Sequence, residues 1–198
     1  IVYEKGQEVE QDYKKAREYF EKAAELGNAD ALRFLGNLYY NGQGVEVDYN
    51  KAREYYEKAA GLGDSSALYN LGFLHEKGQG FEQDYKKARE YFEKAAELGD
   101  DLSLLNLGRI YDEGQGVEED YKKAREYFEK AAELGNTEAL RFLGNLYYNG
   151  QGVEEDDNKA REYYEKAAEL GDDLSLLNLG IVYEKGQEVE QDYKKARE

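Results

Sequence analysis

The chain repeats itself every 36 residues, with no insertion or deletion between copies. An aspartate marks the register at Asp12, Asp48, Asp84, Asp120, Asp156 and Asp192, and each opens a near-copy of D-Y-K-K-A-R-E-Y-F-E-K-A-A-E-L-G. A fixed period of this size constrains the fold more than any single residue does. One unit is too short to bury its own apolar face, so it must stack on its neighbours. The expectation is a solenoid rather than the one or two globular domains that 198 residues would otherwise allow.

Within a unit the spacing of apolar residues predicts two helices. Asn28 follows Gly27 and is placed to cap the first. Ala31, Leu35, Leu38 and Tyr39 then fall on one helical stripe. Gly36 lies inside that helix, where it costs about 1 kcal/mol relative to alanine. It recurs as Gly72, Gly108, Gly144 and Gly180, which predicts close approach of another helix. Gly42 is expected to end the helix in a left-handed conformation, and Val45 to turn inward after Gln43 and Gly44. Asp48 caps the second helix, whose stripe is Tyr49, Ala52, Tyr56, Ala59 and Ala60. Glu54 and Lys58 are spaced to pair on its outer face, and Gly63 closes it.

The composition narrows the functional classes. With 44 acidic and 27 basic residues the net charge is −17, a field that repels nucleic acid and anionic membranes. No apolar run approaches the roughly 18 residues a membrane span needs. There is no cysteine, hence no disulfide and no thiolate metal site. His75 is the only histidine, at the position held elsewhere by Tyr39, Tyr111, Tyr147 and Tyr183, which reads as substituted packing rather than a general base. The G-Q-G turns lack the Lys and Ser/Thr of a phosphate loop. The acidic turn Asp112, Glu113, Glu118, Glu119 and Asp120 does not match the spacing of a calcium loop. No enzyme and no cofactor is expected, and no compartment is indicated.

The repeat A-L-x-x-L-G-x-L-Y-x-x-G-x-G-V-x-x-D-x-x-K-A-x-E-Y-[YF]-E-K-A-A-x-L-G resembles the Sel-one-like repeat, a relative of the tetratricopeptide repeat. Ala31, Leu35, Gly36, Tyr39, Gly42, Gly44, Val45, Asp48, Lys51, Ala52, Tyr55, Tyr56, Lys58, Ala59, Ala60 and Gly63 carry the resemblance, which spans essentially the whole chain. Three departures are visible. Glu46, Glu82, Glu118 and Glu154 stand where many members have proline, the stapling cysteines of secreted bacterial members are absent, and Glu188 replaces a turn glycine. The resemblance implies an all-α, right-handed superhelix of antiparallel helix pairs with a concave groove. It also implies an adaptor that binds protein segments there.

In such folds the first helix of each pair lines the groove. The candidate binding residues are therefore Arg33, Asn37 and Tyr40, then Tyr69 and Phe73, then Leu105 and Arg109, then Arg141, Asn145 and Tyr148, and finally Leu177 and Ile181. Units differ most at these positions, which is compatible with partner selection and equally with drift. Arg33 with Asn37, and Arg141 with Asn145, lie one turn apart, a spacing that could hold a peptide carboxylate; the neighbouring units lack the further Lys and Arg such a clamp needs, which favours reading them as ordinary surface pairs. Leu102, Leu105, Leu174, Leu177 and Ile181 either form an apolar patch in the groove or are packing residues.

A longer period is superposed on the first, because Ile1–Glu18 is identical to Ile181–Glu198. The chain is expected to be a single solenoid over 1–198, about five repeats with partial units at both ends, cut from a longer array. Three functional readings follow. The first is a scaffold that binds a protein or peptide partner. The second is a structural repeat that forms a long array or associates end to end into a filament. The third, prompted by a chain with no Pro, Met or Trp, is a designed repeat protein without a native partner.

Overall fold

A computed structural model of the chain describes residues 12–186. Glu188 and most of the two identical end segments lie outside the described residues. The chain divides into two compact units, Ile1–Asp100 and Asp101–Glu198. Ten α-helices of 13 residues each, and no strand, are found among the described residues. The first unit holds α1 (Tyr13–Glu25), α2 (Ala29–Asn41), α3 (Tyr49–Gly61), α4 (Ser65–Lys77) and α5 (Tyr85–Glu97). The second holds α6 (Asp101–Glu113), α7 (Tyr121–Glu133), α8 (Thr137–Asn149), α9 (Asp157–Glu169) and α10 (Asp173–Lys185). In the first unit α2 packs on α3 and α4 on α5, and α3 also packs on α4. In the second, α6 packs on α7 and α8 on α9, with α9 also against α10. Each unit is a stretch of all-α solenoid built from consecutive helix pairs.

The helix ends form as their residues dictate. Asn28, Asp64, Asn136 and Asp172 accept the backbone N–H three residues on, at the starts of α2, α4, α8 and α10. Asp48, Asp84, Asp120 and Asp156 do the same for α3, α5, α7 and α9. Gly42 has φ +68 and closes α2 on the Leu38 carbonyl. The Asp48 N–H then donates to the Tyr39 carbonyl at 2.9 Å, and this bond recurs at Asp84, Asp120 and Asp156. The second helices end differently. Gly63 donates to Ala60 and Asp64 to Ala59, so orphan carbonyls are satisfied as the chain turns into the next pair.

Four of the five mid-helix glycines are explained by contact, whereas a Cβ on Gly180 would meet nothing within 4 Å among the described residues. A Cβ built on Gly36 would lie 2.4 Å from Tyr56 Cε1, and one on Gly72 would lie 2.6 Å from Phe92 Cε1. Gly108 and Gly144 face Phe128 and Tyr164 in the same way. These four rings, each 0–2 % exposed, are the largest side chains in the core, and Ala52, Ala59, Ala88 and Ala95 beside them are fully buried. Absence of a Cβ on the first helix lets an aromatic ring from the second pack directly against its backbone. A further layer is stacked outside: Tyr39 on Tyr55, Tyr111 on Tyr127 and Tyr147 on Tyr163, all with centroids 5.7 Å apart.

One expected pair is replaced. Lys58 does not meet Glu54; its Nζ lies 5.4 Å over the Tyr55 ring, and the ion pair at that spacing joins Arg53 to Glu57 at 3.6 Å. The same arginine–glutamate pair recurs on α1, α5, α7 and α9. The aromatic at the third position before the lysine captures the ammonium, a contact with no salt-bridge signature in the sequence.

Candidate functional site

The first helices of the pairs carry the candidate binding residues, and the structure sorts them into three groups. The first is already paired within the chain. Arg33 Nε donates to Asp64 Oδ2 at 3.0 Å and Nη2 to Asp30 Oδ1 at 2.6 Å. Arg141 repeats this, with Nε 3.2 Å from Asp172 Oδ2 and Nη2 2.8 Å from Glu138 Oε1. Asp64 and Asp172 cap the next first helix in line, so each arginine bridges two successive pairs. Both guanidiniums thus already hold two carboxylates of their own chain. Arg109 makes an i,i+4 pair with Glu113 at 3.5 Å.

The second group divides the leucines. Leu104 and Leu105 are 6 % and 4 % exposed and belong to the core, so Leu105 offers no surface to a partner. Leu176, Leu177 and Ile181, on α10, are 61 %, 62 % and 42 % exposed.

The third group meets in a cavity. Asn37, Tyr40 and Asn41 from α2, Tyr69, Asn70 and Phe73 from α4, and Tyr56 from α3 line a space of about 270 Å³. Its floor is a hydrogen-bonded cluster. Tyr56 Oη donates to Asn37 Oδ1 at 2.8 Å, and Asn70 Nδ2 donates to the same oxygen at 3.4 Å. Tyr69 and Phe73 stack with centroids 6.3 Å apart to form one wall. In the second unit the arrangement recurs around a smaller cavity lined by Asn145, Tyr148, Tyr164, Asn178 and Ile181. There Tyr164 Oη donates to Asn145 Oδ1 at 2.8 Å, and Asn178 Nδ2 donates to the same oxygen at 3.3 Å. Burial, followed by the neighbouring Tyr40 and Tyr148, pushes the phenols of Tyr56 and Tyr164 far above their ordinary range, so both keep the proton they donate.

Sequence reasoning missed Asn70, Asn178 and the two tyrosines. A signal existed in the array. The aromatic facing the glycine is tyrosine where the first helix carries Asn37 or Asn145, and phenylalanine (Phe92, Phe128) where it carries Phe73 or Arg109. Asp157 and Lys185 were also missed as a pair. Asp157 stands where the other second helices begin with tyrosine and is 1 % exposed; Lys185 Nζ lies 3.4 Å from its Oδ1 and 4.6 Å over the Tyr148 ring. His75 is 8 % exposed, its ring 4.3 Å from Phe81 and stacked on Tyr91 at 5.5 Å. Among the described residues no His, Cys, Asp or Glu cluster could hold a metal ion, and no helix is long and apolar enough to cross a membrane.

The family model of the Sel1 repeat matches residues 1–28, 29–64, 65–100, 102–136, 137–172 and 174–198. No curated protein sequence matches the chain. Among solved structures it is similar to a protective antigen of uropathogenic Escherichia coli strains that displays an SLR fold. The two share 40 % identity with a TM-score of 0.90, over 99 % of this chain and 42 % of the antigen. It is also similar to a Sel1 repeat protein from Oxalobacter formigenes, at 34 % identity and a TM-score of 0.90, over 99 % of this chain and 80 % of that one. An immunity protein from Pseudomonas aeruginosa aligns at 26 % identity with a TM-score of 0.59, over 91 % of this chain and 69 % of that one. With the repeat matched from end to end and the helix pairs in place, the chain belongs to the Sel1 repeat family.

Proposed function

We infer that this chain is a non-enzymatic protein-interaction scaffold that takes an extended segment of a partner protein along the face made by the first helices. The fold is one generally used for protein interaction. The observation that carries the reading is the cavity between α2 and α4. Tyr40, Tyr69 and Phe73 give it aromatic walls, while Asn37 and Asn70 give it a polar floor. Ligand sites combine apolar walls with a few convergent polar groups in this way. Asn145, Tyr148 and Ile181 form the corresponding place in the second unit.

The test uses substitutions that the array itself contains. Peptides selected from a displayed library for binding to the full chain are measured against Phe73→Asn, the residue at Asn37, and Tyr69→Arg, the residue at Arg33. Loss of most of the affinity with an unchanged helical circular dichroism spectrum supports the reading; unchanged affinity in both variants refutes it.

End-to-end association of chains into a longer array is a second reading, prompted by the identity of residues 1–18 with 181–198, which carries one 36-residue register through both segments. A concentration-independent monomer in sedimentation refutes it.

A further inference from the structure

Asn37 and Asn70 do not present a generic polar floor. A carboxamide carries two N–H donors on nitrogen and two acceptor positions on oxygen. The Asn37 oxygen accepts from both Tyr56 and Asn70, so both its acceptor positions are committed, and the Nδ2 group of this cavity-lining residue is left to donate. Asn70 has one N–H committed to Asn37, which leaves its Oδ1 as an acceptor. Among the described hydrogen bonds neither Asn37 Nδ2 nor Asn70 Oδ1 has a partner. The floor therefore offers a donor and an acceptor on adjacent side chains, oriented by a buried phenol that keeps its proton. Asn145, Asn178 and Tyr164 repeat this arrangement 108 residues further on.

A donor beside an acceptor is complementary to a group that shows an acceptor and a donor on one edge. The primary carboxamide of a glutamine or asparagine side chain does so, because its C=O and one of its N–H bonds lie on the same side. A single trans main-chain amide directs its C=O and N–H to opposite sides of the chain, whereas the N–H and C=O of one extended residue share a side, so a methionine probe that keeps every main-chain amide is needed to separate the two. The walls match the remainder of such a side chain, since Tyr40, Tyr69 and Phe73 offer ring faces to a methylene stem. A carboxylate is disfavoured, as the chain carries a net charge of −17 and the arginine nearest the floor is paired with Asp30 and Asp64.

Resting on the groove reading above, we propose that these two asparagine–asparagine–tyrosine clusters are carboxamide-recognition subsites, each taking the side chain of a glutamine or asparagine of the bound segment. The phenol acts as a positioning group. It consumes an acceptor position on the first asparagine and so turns that residue's N–H bonds towards the ligand. The Phe92 and Phe128 repeats lack this hydroxyl and have Phe73 and Arg109 in place of the first asparagine.

The experiment uses the uniformly 15N-labelled full chain and two probes, acetyl-Ala-Gln-Ala-N-methylamide and its methionine isostere. Both keep every main-chain amide and a stem of similar length, but only the first carries a primary carboxamide. The glutamine probe is expected to bind about fivefold tighter, the factor that about 1 kcal/mol of net hydrogen bonding gives, and to shift the side-chain N–H resonances of Asn37 and Asn145. In a Tyr56→Phe, Tyr164→Phe variant, which uses the phenylalanine found at the equivalent positions, that preference is expected to vanish while methionine-probe binding is unchanged. Equal binding of the two probes, with shifts only at Tyr69 and Phe73, overturns the carboxamide subsite and leaves the groove reading standing. A preference that survives removal of both hydroxyls overturns the positioning role. No shift at any groove residue with either probe overturns both the subsite and the groove reading.

Discussion

Gly72→Ala should destabilise the chain, although the same change in an exposed helix adds about 1 kcal/mol through helix propensity. A Cβ at residue 72 would lie 2.6, 2.7 and 3.0 Å from Cε1, Cδ1 and Cζ of Phe92. Carbon atoms are at ease at roughly 3.5–4.0 Å, so the ring must retreat by about 1 Å. Phe92 is 0 % exposed, with Ala88 and Ala95 fully buried on the same helix, and it has nowhere to go without moving α5 from α4. Overpacking of this kind costs about 1–3 kcal/mol. Set against the propensity gain, the net loss is about 1 kcal/mol, or roughly 3 °C in the melting of a chain of 198 residues. The control is Gly61→Ala at the end of α3, where an added Cβ meets nothing within 4 Å and glutamate stands in the other second helices. It should gain stability, by up to about 1 kcal/mol. Urea denaturation gives the two values, and hydrogen exchange in α4 and α5 shows whether the loss is local. Rescue of Gly72→Ala by Phe92→Val would tie the effect to the ring. If Gly72→Ala stabilises the chain as Gly61→Ala does, the account of the glycine as a seat for the aromatic is wrong.

Three further perturbations test other contacts. His75 is held below its ordinary pKa by burial and by Lys87 and Arg53, with Asp84 acting in the opposite sense. The unfolded chain therefore takes the proton first as pH falls below about 6.5, and stability contributed at His75 is present above that pH and lost beneath it. Urea midpoints at pH 7.5 and 5.5 should fall further apart in the unsubstituted chain than in His75→Tyr, and equal spacing would contradict this. Arg33→Met removes two charge-assisted bonds while keeping a stem over Phe34, whose ring lies 4.7 Å from the guanidinium carbon. A loss of about 1–2 kcal/mol in urea denaturation is expected, and no loss would show the bridge to be inert. Asp48→Ala removes the cap of α3 and should cost about 1 kcal/mol, whereas Asp48→Asn should be near neutral; equal losses would argue against capping.

Most of the backbone was legible in the sequence because each feature is local. Asn28 and Asp48 cap where they are expected to, Gly42 is left-handed, and Gly36 marks the close approach its position predicts. Side-chain partners were less legible because they join residues of neighbouring repeats. Arg33 is 31 residues from Asp64, and Asn37 is 33 from Asn70. Those separations follow from the register between helix pairs, which the hydrophobic period does not encode. Arg33 therefore read as available to a ligand, although its carboxylates lie in its own chain. Leu105 is the converse case. Its spacing fits both a groove wall and a core position, and only its burial in the folded chain assigns it to the core.

The division of the amide cluster between two repeats bears on how such arrays diversify. Tyr56 and Asn37 both lie in 29–64, whereas Asn70 lies in 65–100. Unequal crossing-over between copies of equal length moves whole repeats without disturbing the backbone. It carries the tyrosine and its asparagine along as a linked allele, while the second asparagine is inherited from whichever neighbour the exchange brings. Shuffling identical scaffolding modules thus creates or erases complete subsites without a single point mutation, and repeat order becomes a heritable trait separate from repeat sequence.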